Sequence, residues 1–180
     1  MGKQKNDKIN NKLILYPTDT VYGIGGNALE EIVIKRIHEL KGSDNSKPFS
    51  VIMADIKMVK EYCDISKEEE KILRKYLPGP YTFILKMKKN IACGKNGTIG
   101  VRIPKDSKIV EICKKWNVPI ITTSANFHKD KPPTKFEEIP KEILDSADEI
   151  IKGNVNGEES TIVDIVNKKI IRKGKWEFSF

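Results

Sequence analysis

The sequence has 180 residues, of which 38% are hydrophobic and 32% are charged, values that describe a soluble globular protein with room for one domain. Its longest apolar runs fall far short of the roughly 20 residues that a membrane span needs, so we expect no membrane partner. The formal net charge of +8 gives only weak evidence for a nucleic-acid partner, because residues 1–12 alone carry four lysines against one aspartate.

The chain opens with a polar arm and a short strand. Residues 1–12 lack the apolar periodicity that would offset the entropy of ordering, so we expect a disordered arm. Leu13-Ile14-Leu15 predicts a buried strand that ends near Tyr16, because Pro17 cannot donate to a central ladder. The next residues, 17–26, are therefore predicted to be a loop whose glycines let the backbone leave the strand tip without closing a site.

The remaining elements alternate between helices and short apolar strands. A helix is predicted behind an Asn27-x-x-Glu30 capping box and ends at Gly42, and a second box, Ser66-x-x-Glu69, opens another helix. The other elements, in chain order, are strand 49–53, a short helix at 58–62, antiparallel strands 81–87 and 98–103, helix 107–116, strand 120–126, a helix up to 147, and strands 149–152, 160–166 and 169–172. These elements predict a single mixed α/β domain over 13–180.

Two of the predicted strands run out into hydroxyl groups. Thr18 and Thr20 follow the first strand, and Ser124-Ala125-Asn126 ends the strand at 120–126, so these side chains are expected at one edge of the sheet. Because no histidine lies near Ser124 to act as its base, ligand binding is favoured over nucleophilic attack. Asn126 is equally well explained as a turn or cap residue.

Three cations are candidates for holding an anionic ligand. Arg102 lies within an apolar strand, where a planar fork suits bidentate binding of a carboxylate or phosphate, although an outward-facing position is an equal alternative. Lys41 and Lys47 stand at and just past a helix C-terminus, and for Lys41 alone an interaction with the helix dipole is favoured over catalysis. With the hydroxyls, these cations predict a pocket for a small anionic ligand.

The cysteines and histidines give no sign of a metal site or a disulfide framework. The three cysteines form no Cys-x-x-Cys pair, and only two histidines are present, so we expect no metal ligands and a reducing, cytoplasmic location. Gly23-x-Gly25-x-x-Ala28 matches a loose dinucleotide fingerprint with Asp44 or Asp55 as the ribose ligand, which leaves a nicotinamide-dependent oxidoreductase as an alternative.

Motifs in a fixed order from 13 to 174 resemble those of the YrdC-like threonylcarbamoyl-AMP synthases. They are Tyr-Pro-Thr-Asp-Thr-Val-Tyr-Gly-Ile-Gly at 16–25, Lys41-Gly42 with Lys47-Pro48, Leu77-Pro78-Gly79-Pro80, Gly100-Val101-Arg102-Ile103-Pro104, Ser124-Ala125-Asn126, Pro133-Thr134, and Ser160-Thr161-Ile162-Val163-Asp164. The resemblance implies a twisted open mixed α/β sheet flanked by helices, with a concave basic cavity. It also implies that L-threonine, bicarbonate and ATP with Mg²⁺ react to threonylcarbamoyl-AMP and pyrophosphate, which a tRNA-modifying transferase complex uses.

The resemblance also assigns site residues. It implies that Thr20, Arg102 and Ser124 bind threonine, with Thr18 shaping the same loop. The catalytic residues would be Lys41, Arg102, Ser124 and Asn126. The residues that line the ATP side would be Lys41, Lys47, Thr98, Thr122, Asn126 and Ser160, with Arg172 as a further candidate.

The sequence departs from the family pattern at three places. Ser43 stands where the family has an arginine, so Lys47 is expected to substitute for that phosphate ligand. Ile52 replaces a histidine that contacts threonine in some members, and the segment from His128 to Pro132 replaces a Ser-Gly-x-x-Ser motif. These departures keep a second function open, a relative that binds nucleotide, tRNA or double-stranded RNA without full synthase activity.

Overall fold

The structure is a computed structural model that describes residues 11–42 and 47–180. Residues 1–10 of the predicted arm, Ser43 and Asp44 lie outside the described residues. The strands are β1 (Ile14–Pro17), β2 (Tyr22–Gly25), β3 (Ser50–Ile52), β4 (Cys63–Asp64), β5 (Tyr81–Met87), β6 (Thr98–Arg102), β7 (Ile120–Ser124), β8 (Glu149–Ile150), β9 (Thr161–Asp164) and β10 (Lys169–Arg172). The helices are α1 (Glu31–Lys41), α2 (Ile56–Tyr62), α3 (Lys67–Tyr76), α4 (Lys108–Trp116) and α5 (Lys141–Ser146).

The strands form one mixed sheet in the order β10-β9-β5-β6-β3-β7-β2-β1-β8, with β4 paired to β5. Strand β3 pairs parallel with β6 and antiparallel with β7, and β7 pairs antiparallel with β2. Apolar side chains of the central strands, such as Val51, Val101 and Ile121, are fully buried. The predicted mixed open sheet with flanking helices is confirmed, as is the antiparallel pairing of β5 with β6.

The prediction that residues 17–26 form a loop is wrong for their second half. Tyr22–Gly25 is strand β2, which lies between β1 and β7 in the sheet. A β-carbon added at Gly25 would stand 1.6 Å from the carbonyl oxygen of Ile121, and one at Gly26 would stand 2.3 Å from that of Lys12. These glycines therefore allow neighbouring backbones to approach closely, and because Gly23 and Gly25 lie inside a strand they form no dinucleotide-binding turn.

The helix ends agree with the sequence at two of three positions. Gly42 ends α1 with φ of 59°, in the left-handed region that glycine favours, as predicted. The Ser66 box is also confirmed, since its hydroxyl accepts from the Glu69 N–H and the Glu69 carboxylate accepts from the Ser66 N–H. The Asn27 box is wrong, because Asn27 Oδ1 accepts from Leu29 N at 3.0 Å and the helix begins only at Glu31.

Two further boundaries differ from the prediction. Strand β4 was not predicted, because two residues carry no periodicity. The helix predicted up to 147 is a 3₁₀ turn, Phe136–Glu138, followed by the short α5, because Pro140 stands at the N-cap and separates the two. Within residues 11–42 and 47–180, no helix combines the length and the apolar composition that would let it cross a membrane.

The close approach at Gly25 makes a stability prediction. Gly25→Ala should lower the free energy of unfolding by at least about 3 kcal/mol, because the new methyl group meets the Ile121 carbonyl and must separate β2 from β7. Gly97→Ala is the matched control, since Gly97 has open space around it and only its φ of 73° is strained, at about 1 kcal/mol. Urea denaturation measures both, and equal losses would contradict the prediction.

Candidate active site

A cavity of about 190 Å³ opens on one face of the sheet, at the ends of the central strands. It brings together the predicted residues Thr20, Arg102, Thr122, Ser124 and Ser160, with Thr18 and Arg172 beside them. The other lining residues are Val21, Tyr22, Gly23, Pro48, Phe49, Ser50, Thr82, Thr123, Glu159 and Ile162. Most polar groups in this wall are neutral hydroxyls.

Arg102 is the buried cation of the cavity. Its Nη2 donates to Asp19 Oδ1 at 3.1 Å and to Thr20 Oγ1 at 2.9 Å. Its Nε is fully buried and has no hydrogen-bond partner among the described residues. Burial lowers the pKa of Arg102 and the Asp19 carboxylate opposes that shift, so the guanidinium stays charged. The side chain therefore lies inward, which rules out the outward-facing alternative, and an unsatisfied donor remains at the cavity wall.

The Thr18–Thr20 hydroxyls form a chain of hydrogen bonds with a fixed direction. Thr18 Oγ1 donates to the carbonyl of Val21 at 2.8 Å, so its only proton is used. In the 2.8 Å contact between the two hydroxyls, Thr20 must therefore be the donor. Thr20 Oγ1 in turn accepts from Arg102 at 2.9 Å. The loop after β1 is thus oriented by the charge of Arg102 at one end and a backbone carbonyl at the other.

Asp19 joins this loop to the segment that follows β6. Its Oδ2 accepts from the backbone N–H of Lys105 at 3.1 Å, while Oδ1 accepts from Arg102. Burial raises the pKa of Asp19, and Arg102 is the largest of the groups that lower it. The carbonyl of Asp19 also accepts from Asn156 Nδ2 at 2.9 Å, so a third segment of the chain closes over the loop.

The opposite wall of the cavity is built around Ser160. Its hydroxyl lies 2.9 Å from that of Thr82 and accepts from Arg172 Nη2 at 3.2 Å. Arg172 also donates to the Ser160 carbonyl at 3.1 Å and to Glu159 Oε1 at 2.5 Å. A β-carbon added at Gly100 would stand 2.5 Å from Ser50 Oγ, so this glycine lets the polar side chain of Ser50 lie across the cavity floor.

Lys41 and Asn126 form a separate cluster at the end of β7. Lys41 Nζ donates to the carbonyl of Ser124 at 2.7 Å, to the carbonyl of Asn126 at 2.8 Å and to Asn126 Oδ1 at 3.3 Å. An ammonium group has three donors, so these contacts use all of them. Burial, followed by repulsion from Lys47, lowers the pKa of Lys41 to about 8. In this structure Lys41 therefore supports the Ser124-Ala125-Asn126 turn, and Asn126 serves as a turn residue.

Besides Lys41 and Asn126, two more of the predicted site residues lie outside the cavity wall. Thr98 is at the start of β6, and its hydroxyl donates to the carbonyl of Lys95 at 2.9 Å. Lys47 Nζ lies 2.7 Å from Nε2 of His128. Both residues belong to the described part of the chain, and neither contributes to the cavity lining. Ile52 is fully buried.

Sequence reasoning missed Asp19, Ser50 and Thr82 as parts of the site. Ser50 and Thr82 are small polar residues at the beginnings of apolar strands, and an isolated hydroxyl on a core strand was the signal that could have found them. Asp19 belongs to the motif at 16–25, but its partner Arg102 is 83 residues away, and no local sequence pattern pairs the two residues. Among the described residues, no three His, Cys, Asp or Glu side chains are grouped so as to hold a metal ion.

The position of Lys41 predicts a dependence of stability on pH. Because its folded-state pKa of about 8 lies below the ordinary 10.5, the unfolded chain binds more protons between these values, and the contribution of Lys41 to folding stability increases as pH rises through that range. The difference in unfolding free energy between wild type and Lys41→Met should therefore grow from pH 8 to pH 10. Lys35→Met, on the exposed side of the same helix, is the control. A constant difference for Lys41→Met would contradict the prediction.

Comparisons with known proteins identify relatives of the whole described region. A protein from Methanocaldococcus jannaschii, provisionally named a threonylcarbamoyl-AMP synthase, is 37% identical over 93% of this chain and 81% of its own length. A threonylcarbamoyl-AMP synthase from Buchnera aphidicola is 30% identical over 89% of this chain and 88% of its own length.

Among solved structures, Sua5 from Pyrococcus abyssi, in complex with L-threonine, superimposes with a TM-score of 0.84 at 29% identity. The match covers 94% of this chain, which spans only 53% of the Sua5 chain. The family model Sua5_yciO_yrdC, described as telomere recombination, matches residues 9–174. Because this match covers most of the sequence, the chain belongs to the Sua5/YciO/YrdC family.

Proposed function

We propose that this chain is an L-threonylcarbamoyladenylate synthase, which makes threonylcarbamoyl-AMP and pyrophosphate from L-threonine, bicarbonate and ATP. The observation that carries the proposal is the buried, unpartnered Nε of Arg102 in a small cavity lined by hydroxyls. Relatives named threonylcarbamoyl-AMP synthase, and a neighbour solved with L-threonine, support it. The product would supply a threonylcarbamoyl transferase complex that modifies tRNA, and the reaction would take place in the cytoplasm.

The size and polarity of the cavity suit threonine. Its volume of about 190 Å³ is below the roughly 300–1,000 Å³ of sites for drug-sized ligands, so it fits a molecule of amino-acid size. Arg102 would donate its unpartnered Nε–H to the threonine carboxylate, because a hydrogen bond between an ionised donor and an ionised acceptor is strong. Thr20 and Ser124 would contact the rest of the amino acid.

The nucleotide would lie on the side of the cavity that carries Thr122, Ser160 and the end of β7. Lys41, Lys47 and Asn126 surround that strand end, and Thr98 lies farther along β6. Mg²⁺ would enter with ATP, since this ion is usually held by substrate phosphates and few protein ligands. The hydroxyls of Thr122 and Ser160 would then orient the nucleotide without adding charge.

The reaction that we propose has two steps. The threonine amine attacks the carbon of bicarbonate, and loss of water gives a carbamate. A carbamate oxygen then attacks the α-phosphorus of ATP, the bond to the bridging oxygen breaks, and pyrophosphate leaves with the electron pair. Negative charge grows on the phosphoryl oxygens during this step, and cations positioned at the end of β7 would stabilise it.

The direct test measures AMP and pyrophosphate formation with purified protein. We expect turnover only when L-threonine, bicarbonate and ATP are all present, with AMP arising because threonylcarbamoyl-AMP hydrolyses. Omission of threonine and omission of bicarbonate are the two controls. Absence of threonine-dependent turnover, together with tight salt-dependent binding of tRNA, would favour the RNA-binding alternative instead.

Replacement of Arg102 should affect the KM for threonine and the KM for ATP differently. Arg102→Ala should raise the KM for threonine about 100-fold while changing the KM for ATP less than about threefold, because it removes the positive charge and the Nε donor that would bind the threonine carboxylate. Arg102→Lys keeps the charge but lacks the planar fork, so it should give an intermediate KM. Circular dichroism checks that both variants fold. Equal losses for threonine and ATP would show that Arg102 is not the carboxylate ligand.

A further inference from the structure

Lys47 and His128 stand side by side where β7 ends, next to the cluster of Lys41 and Asn126. Lys47 Nζ lies 2.7 Å from Nε2 and 3.2 Å from Nδ1 of His128. The backbone N–H of His128 donates to the carbonyl of Lys41 at 2.9 Å, which holds the backbone of His128 next to that cluster. Because all three donors of Lys41 are used inside the protein, a ligand at this place would have to bind other groups, and Lys47 and His128 are the pair that lies beside the cluster.

The surroundings of His128 are strongly positive. The charged groups that act on it are Lys47 from the segment before β3, Lys129 from its own loop and Lys41 from α1. Desolvation, followed by repulsion from these three lysines, lowers the pKa of His128 below its ordinary value. Asp130, in the same loop, is exposed, and its backbone carbonyl accepts from Asn126 Nδ2. At neutral pH the imidazole is therefore uncharged and accepts a hydrogen bond from the Lys47 ammonium.

We infer that Lys47 and His128 together bind the terminal phosphates of the nucleotide, and that His128 takes up a proton as these phosphates bind. The identity of the anion rests on the proposed function, whereas the anion contact itself rests on the cluster. His128 is thus proposed as a binding residue for an anion, beside Lys47.

The proton uptake follows from the charges. An anion placed between Lys47 and His128 takes over the ammonium as its own partner and favours the imidazolium, so the pKa of His128 rises when the anion binds. A rise in pKa upon binding means that affinity increases as pH falls between the bound and free values. Departure of pyrophosphate would then return the proton and restore the Lys47–His128 contact.

Histidine resonances give the first test, with inorganic pyrophosphate as the probe. The chain has only two histidines, and His38 is buried, so the ring protons of His128 are assigned by their loss in His128→Gln. We expect the titration midpoint of His128 to move upward by about one pH unit when pyrophosphate is added. A midpoint that stays in place would overturn the inference.

Calorimetry gives the second test. His128→Gln should weaken pyrophosphate binding about tenfold at pH 6, which corresponds to one hydrogen bond to a charged group, and by no more than about twofold at pH 8. Phosphate groups themselves titrate near about pH 6, and the ratio of wild type to variant removes that contribution. Lys129→Gln is the matched control, since it removes one charge from the same loop and should weaken binding by a similar factor at both pH values.

The outcomes separate this inference from the proposed function. An unchanged affinity in His128→Gln, or the same loss at pH 6 and pH 8, would overturn the inference. Pyrophosphate binding needs neither threonine nor bicarbonate, so these results stand whether or not AMP is formed. If the protein forms AMP but binds pyrophosphate independently of His128, the proposed function is supported and the inference about His128 is contradicted.

Discussion

A buried guanidinium is the constraint around which the site is organised. Arg102 lies on β6 in the interior of the sheet, where an uncompensated charge would be strongly unfavourable. Asp19 and Thr20 compensate it from the loop after β1, and Lys105 and Asn156 hold Asp19 in place from two other segments. The loop after β1, the segment after β6 and the segment around Asn156 are therefore brought together around the charge of Arg102. The cavity lies between them.

The compensation is incomplete at one atom of the guanidinium. Within residues 11–42 and 47–180, Arg102 donates through Nη2 and its Nε–H has no partner, and a buried N–H without a partner destabilises a protein by about 1–3 kcal/mol. A bound carboxylate would remove that penalty, so binding and folding stability are coupled through this atom. Because Asp19 and Thr20 already fix the orientation of the guanidinium, little further ordering is needed when the carboxylate arrives.

The sequence predicted the strand and helix order well because most elements have a clear apolar period or a cap, as at Ser66. It failed at β2, where glycines resemble a loop. Their role depends on the Ile121 backbone about 100 residues away, which a local pattern does not contain. The hydroxyls of Thr20 and Ser124 were correctly expected at one edge, since both follow strand ends.

The remaining gaps in the sequence prediction have the same physical origin. Asp19 was noticed as part of a motif, but its pairing with Arg102 is a property of the sheet order, which local sequence does not determine. The sequence predicts that Lys41 binds a ligand or interacts with the helix dipole. In the structure its ammonium group instead donates to carbonyl groups at the end of β7. Residue type predicts which groups are present, whereas the fold decides which of their donors remain available.

The hydroxyl groups of the cavity are of two kinds. Some are held in one direction by hydrogen bonds within the protein, and others are free to rotate. The hydroxyls of Thr18 and Thr20 have directions set by Arg102 and by the Val21 carbonyl, and both of their protons are used within the protein, so Thr20 offers a ligand only an acceptor. The hydroxyl of Ser124 makes no hydrogen bond within the described part of the chain, so it rotates freely between donating and accepting. An amine that becomes a carbamate changes from donor to acceptor, and a rotating hydroxyl accommodates both states where a fixed one would oppose the change.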